Sequence, residues 1–189
     1  MSYKYKKNFN RFKIFKFLLL SPFLVSIPFL HNIKVNAGLE FQWDQDSGYR
    51  RLKWFQKSNE SRARNTIFFF LRPSDRKAGL LKITINIPKT FKSTLKEEKI
   101  SLCKVNIGGF ETRTKCIANI PADIELNEDN TSLDIFPYNP IPSNKDSYAI
   151  VFKVFNPKRS GLYQFHSFGQ YFGENPVSSY LGSSTLVID

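Results

Sequence analysis

Residues 147–157 read SYAIVFKVFNP, and this stretch decides the fold class. Every second side chain from Tyr148 to Val154 is apolar, which is the pattern of a strand with one face on a core. The side chains between them are also apolar, except Lys153. Because a strand with two apolar faces needs cover on both sides, we predict that this strand is buried for most of its length. Asn156-Pro157 ends it, since proline cannot donate to a ladder of hydrogen bonds.

The same period of two recurs elsewhere in the chain. In LKITINIP, at residues 81–88, isoleucines occupy one face while Lys82, Thr84 and Asn86 occupy the other. Other candidate strands are separated by turn residues: TIFFFL from Thr66, TSLDIFPYNP, GLYQFHSFGQ and SSTLVID. Such spacing predicts a mainly all-β fold, an antiparallel β-sandwich of the immunoglobulin-like kind.

One helix is predicted between two of these strands. Residues 88–99 read PKTFKSTLKEEK and place Phe91 and Leu95 four positions apart, on one face of a helix. We therefore expect a short crossover helix there.

The N-terminus has the layout of a secretory signal peptide. Six Lys and Arg residues and no acid precede an apolar run from Phe17 to Leu30, and Val35-Asn36-Ala37 fits a cleavage site. We predict a signal peptide over residues 1–37, cut before Gly38, and export to the periplasm or the extracellular side. The alternative is an uncleaved N-terminal anchor, although the run is short for a spanning helix and contains two prolines.

Cleavage changes the charge balance. The formal net charge is +12, but the leader carries seven of the 28 Lys and Arg residues and none of the 16 acids. The mature chain therefore keeps 21 basic residues against 16 acidic ones, a net charge of only +5. We expect no nucleic-acid partner, because most of the charge excess lies in the discarded leader and exported proteins rarely meet nucleic acid.

After the leader we expect a basic segment over residues 38–65 and one β-sandwich domain over residues 66–189. Basic side chains beside aromatic rings can dock on lipid headgroups or on acidic polysaccharide. The segment 47–77 is rich in both, and its candidate ligand-binding residues are Arg50, Arg51, Lys53, Trp54, Arg62 and Arg64. The competing interpretation is a solvated cover strand, since charge runs usually face water.

Cys103 and Cys116 are the chain's two cysteines. If KISLCKVNI and TRTKCIANI form a hairpin with a type II′ turn at Gly109-Phe110, Cys103 lies directly opposite Cys116 at a non-hydrogen-bonded pair, where a disulfide fits. A turn at Gly108-Gly109 would instead require a bulge. Two cysteines and His166, the one histidine left after cleavage, do not make a structural zinc site. An oxidising compartment favours the disulfide over a catalytic thiol.

The C-terminal half resembles the cyanobacterial family known as domain of unknown function 2808. The features that carry the resemblance are a Pro-rich turn, a long hydrophobic strand, Asn156-Pro157, Gly161-Leu162-Tyr163, and Leu181-Gly182 before the last strand. The resemblance covers about residues 66–189. It implies an exported protein and names no chemistry; the cysteine pair and the basic segment are departures from the family's pattern.

We expect a structural role for the motif residues Asn156, Pro157, Gly161 and Tyr163. Tyr163, near the start of a strand, could bond its hydroxyl to a loop backbone, as in the tyrosine corner of sandwich folds. His166 has no visible partner for base catalysis, and Ser183-Ser184 lacks a nucleophile elbow. We therefore predict a non-enzymatic domain of the cell envelope with an unknown envelope partner, no metal and no cofactor. The alternative is a binding module for anionic polysaccharide or lipid headgroups.

Overall fold

The computed structural model describes residues 48–173 and 177–189. The predicted signal peptide and residues 38–47 lie outside the described residues. The strands are β1 (Trp54–Gln56), β2 (Arg64–Leu71), β3 (Leu80–Asn86), β4 (Ile100–Asn106), β5 (Lys115–Ile120), β6 (Ala122–Leu126), β7 (Ser132–Pro137), β8 (Tyr148–Phe155), β9 (Gly161–Tyr171) and β10 (Ser178–Ile188).

These strands form two five-stranded antiparallel sheets. The first sheet has the order β1-β2-β8-β4-β5, and the second has the order β10-β9-β3-β7-β6. The chain forms hairpins at β4–β5, β6–β7 and β9–β10, and it changes sheet at the other connections that follow β2. The predicted antiparallel β-sandwich is confirmed.

The core lies between the inward faces of the two sheets. Phe69 of β2, Phe152 of β8 and Phe165 of β9 are each at most 2% exposed. The Phe69 ring centroid lies 5.2 Å from that of Phe152 and 5.0 Å from that of Phe165. Aromatic contacts between the two sheets therefore hold the layers together at the centre.

β8 is covered on both faces, as its sequence predicts. Its inward side chains from Tyr148 to Val154 are in the main core, while Ala149 and Val151 belong to a smaller apolar cluster on the outer face of the first sheet. Phe68 and Phe70 of the neighbouring β2 complete this outer cluster together with Cys103 and Val105. Only Lys153 and Phe155 of β8 are exposed.

The prediction of a crossover helix at residues 88–99 is wrong. The segment is an irregular crossover with a turn in which the Phe91 N–H donates to the Pro88 carbonyl (2.8 Å) and a 3₁₀ turn at Glu97–Lys99. Phe91 and Leu95 are both buried in the core, and Phe91 packs edge-on against Tyr163 and Phe165. An extended chain covers about 3.3 Å per residue against 1.5 Å in a helix. The segment can therefore cross between the sheets and still insert both side chains.

The predicted disulfide between Cys103 and Cys116 is present, with a Cα–Cα distance of 5.7 Å. The predicted register is wrong, because Cys103 lies opposite Asn119 and Cys116 lies opposite Val105, with an irregularity between Lys104 and Val105. The bond is therefore diagonal. Closing a loop of this size contributes about 3 kcal/mol of stability in the chain-entropy account.

A longer loop than the expected two-residue turn causes the shift. The last pair of the hairpin is Asn106 with Lys115. Within the loop, the Gly109 N–H donates to the Thr112 carbonyl (3.0 Å) and the Gly108 N–H to Thr114 Oγ1 (3.0 Å). A Cβ on Gly108 would lie 2.5 Å from the Thr114 nitrogen, so this close turn requires glycine.

The chain before β1 joins the two sheets. Its residues 50–52 lie along β10, where the Leu52 N–H donates to the Ser183 carbonyl (2.8 Å) and the Ser183 N–H to the Arg50 carbonyl (2.7 Å). Leu52 enters the core at 2% exposure, and β1 then pairs with β2 in the other sheet. Gly182 permits this approach: its φ is +149°, and a Cβ there would lie 2.6 Å from the Arg50 carbonyl oxygen.

Candidate anion-binding site

The six basic and aromatic residues proposed as ligands do not form one site. Arg50, Arg51, Lys53 and Trp54 lie near the end of β2 marked by Leu71, whereas Arg62 and Arg64 lie at its start. The eight residues of β2 separate these groups by about 23 Å at 3.3 Å per residue.

Two side chains of the group near Leu71 make contacts within the fold. Arg50 Nη2 donates to the Ser74 carbonyl (3.2 Å), and Trp54 packs against the core. Arg51 and Lys53 are exposed beside Trp54 and line a shallow depression with Arg72. The carboxylate of Asp75 forms an ion pair with Arg72 (2.9 Å) and, mainly by this hydrogen bond, raises the Arg72 pKa.

The group at the start of β2 belongs to a larger basic surface. Arg64 lies directly across from Phe155 at the end of β8, and its guanidinium is 5.7 Å from the centroid of the exposed Phe155 ring. Basic residues of the crossover and of β8 lie around this pair in a groove of 590 Å³. We call it the first basic groove; its lining is Arg64, Thr94, Lys96, Lys99, Lys153, Val154 and Phe155.

The first basic groove has four cations and no acid in its lining. The ion pairs found within residues 48–173 and 177–189 join other cations: Arg72 with Asp75, Lys82 with Asp134, and Lys104 with Asp146. Glu97 is in the same crossover, but its carboxylate accepts a hydrogen bond from the Leu126 N–H (2.9 Å). The groove therefore concentrates positive charge that no carboxylate of its own lining neutralises.

Buried amides fix the loop that leads into this groove. Asn65 and Asn156 are 1% and 4% exposed, and Asn65 Nδ2 donates to Asn156 Oδ1 (2.8 Å). Asn156 Nδ2 donates to the carbonyls of Ser58 (3.1 Å) and Glu60 (2.7 Å). The N–H groups of Lys57 and Ser58 in turn donate to Asn65 Oδ1 at 3.0 and 3.1 Å. Asn65 and Asn156, which we call the asparagine clasp, hold residues 57–63 against the end of the sandwich.

The other motif residues lie next to the clasp. The carbonyl of the buried Pro157 accepts a hydrogen bond from the Arg62 N–H (3.3 Å). Tyr163 is 3% exposed and donates its hydroxyl to the Arg159 carbonyl, the kind of backbone contact that its position predicts. Gly161 begins β9 with φ +150°, a conformation that favours glycine. These residues shape the turn from β8 to β9.

A serine–histidine contact on the outer face of the second sheet was missed from the sequence. Ser183 Oγ lies 2.6 Å from His166 Nδ1 and 2.6 Å from the Tyr180 hydroxyl. Ser183 and His166 are opposite each other on β10 and β9, so only the pairing register brings them together. Ser183 is 0% exposed, and its hydroxyl is therefore inaccessible to a substrate as a nucleophile.

Among residues 48–173 and 177–189, no group of three or more His, Cys, Asp and Glu side chains could hold a metal ion. The helices of the same part are all too short or too polar to cross a membrane.

Lys96, Lys99, Lys153 and Phe155 are groove residues that sequence reasoning missed. Lys153 gave the strongest signal, because it is the single charge in an apolar strand. Lys96 and Lys99 of the crossover gave a weaker signal, because the helix expected there would have directed their side chains away from this groove.

The described part of the chain is thus a β-sandwich domain with a basic groove at one end of β2 and β8. The chain belongs to the family described as protein of unknown function (DUF2808), whose sequence profile matches residues 42–188. None of the curated proteins matches the sequence.

Several solved structures are similar to the chain at low identity. BslA, a bacterial hydrophobin, is 12% identical with a TM-score of 0.45, over 75% of this chain and 95% of that one. The collagen-binding domain of a Staphylococcus aureus adhesin is 12% identical with a TM-score of 0.38, over 71% and 95%. An uncharacterised Nocardia farcinica protein with an immunoglobulin-like fold is 8% identical with a TM-score of 0.42, over 73% and 97%. These likenesses concern the fold alone.

Proposed function

We propose that this protein is an exported, non-enzymatic domain of a cyanobacterial cell envelope, and that it binds an anionic polysaccharide through the first basic groove. The observation that carries the proposal is the groove itself, which four cations without a carboxylate partner line together with an exposed aromatic ring. Cations of this kind attract carboxylate or sulfate groups, and the Phe155 ring offers an apolar surface for the carbon face of a sugar.

The shape of the site favours a polymer over a membrane. The cations line a concave groove, whereas a lipid surface is contacted best by protruding side chains. Phe155 is 57% exposed, and the Arg64 guanidinium lies 5.7 Å from its ring centroid. A Phe155 ring that entered a bilayer would therefore bring this charge toward the apolar phase, which costs free energy.

Binding is tested with the purified protein, polygalacturonate as a carboxylated polymer and neutral dextran as the uncharged control. We expect the protein to bind polygalacturonate at low ionic strength and to release it as salt rises, because salt screens exposed charges. Lys96→Glu/Lys153→Glu is expected to weaken binding about tenfold or more by placing acids in the groove.

The matched control is Lys115→Glu/Lys145→Glu, which makes the same change in net charge at exposed positions outside the groove. It should bind nearly as the parent does. If both double variants lost the same amount of binding, the polymer would respond to net charge alone, and the groove would be rejected as the binding site. If the protein bound vesicles with anionic lipids but no polymer, an anionic polysaccharide would be rejected as its ligand.

Export is a separate part of the proposal. The leader pattern and the Cys103–Cys116 disulfide support it, because disulfides persist in oxidising compartments. Intact-mass measurement of the cellular protein should give a chain that begins at Gly38 with both sulfurs resistant to alkylation. A cytosolic chain that retains Met1 and two alkylatable thiols would refute export.

A further inference from the structure

A second basic groove lies beside the first. It has a volume of 560 Å³ and also contains four cations and no acid; its lining is Lys89, Thr90, Lys92, Pro157, Lys158 and Arg159. All four cations are exposed, and no ion pair of the described residues includes any of them. The crossover lysines Lys89 and Lys92 lie outside residues 47–77, the segment that contains the predicted ligand-binding residues.

The two grooves share one dividing wall. On the crossover, Lys92 lines the second groove and Thr94 lines the first, while Ser93 between them donates its hydroxyl to the Phe155 carbonyl (2.6 Å). On the other side of the wall, Phe155 lines the first groove and Pro157 lines the second. Residues two apart in a chain are separated by at most about 7 Å, the value for an extended strand. Lining residues of the two grooves therefore lie within about 7 Å of each other along both segments.

We propose that one extended polyanionic chain occupies both grooves and passes over the Ser93–Phe155 wall. The inference rests on the proposed function and names its substrate class: a long linear polyanion, in preference to a small anion or a short oligosaccharide. Two neighbouring sites with the same charge act on one chain as a bivalent receptor, because the second contact becomes intramolecular once the first has formed.

The surroundings give this path a direction. Asp129 lines a depression that adjoins the second groove and shares Lys89 and Lys92 with it. A polyanion is repelled from that side and attracted along the side of Lys158 and Arg159. The path thus runs from the first groove, across the wall, toward the turn between β8 and β9.

The test compares polygalacturonate fractions from the dimer to chains of about twenty sugars, and binding is measured by calorimetry. The proteins are the parent, Lys96→Glu/Lys153→Glu for the first groove, Lys92→Glu/Lys158→Glu for the second, and Lys115→Glu/Lys145→Glu as the control. We expect the parent to bind long chains at least about tenfold more tightly than the dimer. Each groove variant should lose that gain, and the control should keep it.

Other outcomes separate the two proposals. If the second-groove variant binds long chains as the parent does while the first-groove variant does not, the two-groove path is wrong and the proposed function stands. An affinity of the parent that does not increase with chain length also overturns the path. If the parent binds no fraction, both proposals fail. Thermal unfolding of each variant confirms that a loss of binding is not a loss of folding, since all the substituted lysines are exposed.

Discussion

The two described halves of the basic segment, residues 48–56 and 57–65, each contain three Lys or Arg residues, yet they have opposite roles in the fold. The first half includes Leu52 and Trp54, which pack into the core, and its backbone joins β10 of one sheet to β2 of the other. The second half has no large apolar side chain and is held at the end of the sandwich by the asparagine clasp.

Two segments with the same number of basic residues are therefore held in the fold by different interactions. In the first half, apolar burial fixes the backbone and the cations point outward as a consequence. In the second half, hydrogen bonds to Asn65 and Asn156 fix the backbone, and Arg64 reaches a groove built mostly by other elements. The fold uses hydrophobic burial in one place and satisfied buried amides in the other.

Leu52→Ala tests the first half. Removing a side chain that is 2% exposed should lower the free energy of unfolding by about 3 kcal/mol, from lost burial and the cavity left behind. Urea unfolding measures the change, and Leu162→Ala at a 72% exposed position is the control. A loss below about 1 kcal/mol at Leu52 would mean that this residue does not anchor the segment.

Asn156→Ala tests the second half. It leaves Asn65 Nδ2 and the Ser58 carbonyl without these partners, and it leaves the Glu60 carbonyl with only the Ala63 N–H (3.3 Å). We therefore expect a loss of about 2 kcal/mol and faster proteolysis within residues 57–63. Asn86→Ala, at an exposed strand position, should change stability little. If both variants were cleaved at the same rate, the clasp would not be what orders the loop.

The sequence predicted most of the fold because most strands alternate regularly. Ile83 and Ile85, for example, are both fully buried on the inward face of β3. β1 has only three residues and was anticipated only as a solvated cover strand, and its Trp54 packs against the core. β6 was not predicted; its Asp123 and Glu125 are the outward side chains of a strand whose apolar residues pack against the core.

The site was less predictable, because its residues come from distant parts of the chain. Arg64, Lys96 and Lys153 meet only after β2 pairs with β8 and the crossover passes them. Gly182 shows the same limit: the Leu181-Gly182 motif was visible, but its cause is a contact with Arg50, more than a hundred residues earlier. Local patterns predict strands, whereas such contacts depend on sheet order and register.

Arg62→Gly tests whether the backbone of the second half is strained at Arg62. Arg62 was a candidate ligand, but its φ is 59°, a left-handed conformation that costs a side-chain-bearing residue about 1–2 kcal/mol. Glycine removes that strain and adds about 0.5–1 kcal/mol of backbone entropy cost, so the net effect is a gain of about 0.5 kcal/mol. Arg62→Ala removes the same charge and keeps the strain, and it should leave stability unchanged within error in the same urea measurement. A glycine variant that is less stable than the alanine variant by about 0.5–1 kcal/mol, the entropy cost of glycine alone, would mean that Arg62 carries no strain. Weaker polymer binding in both variants would return Arg62 to the ligand set beside Arg64.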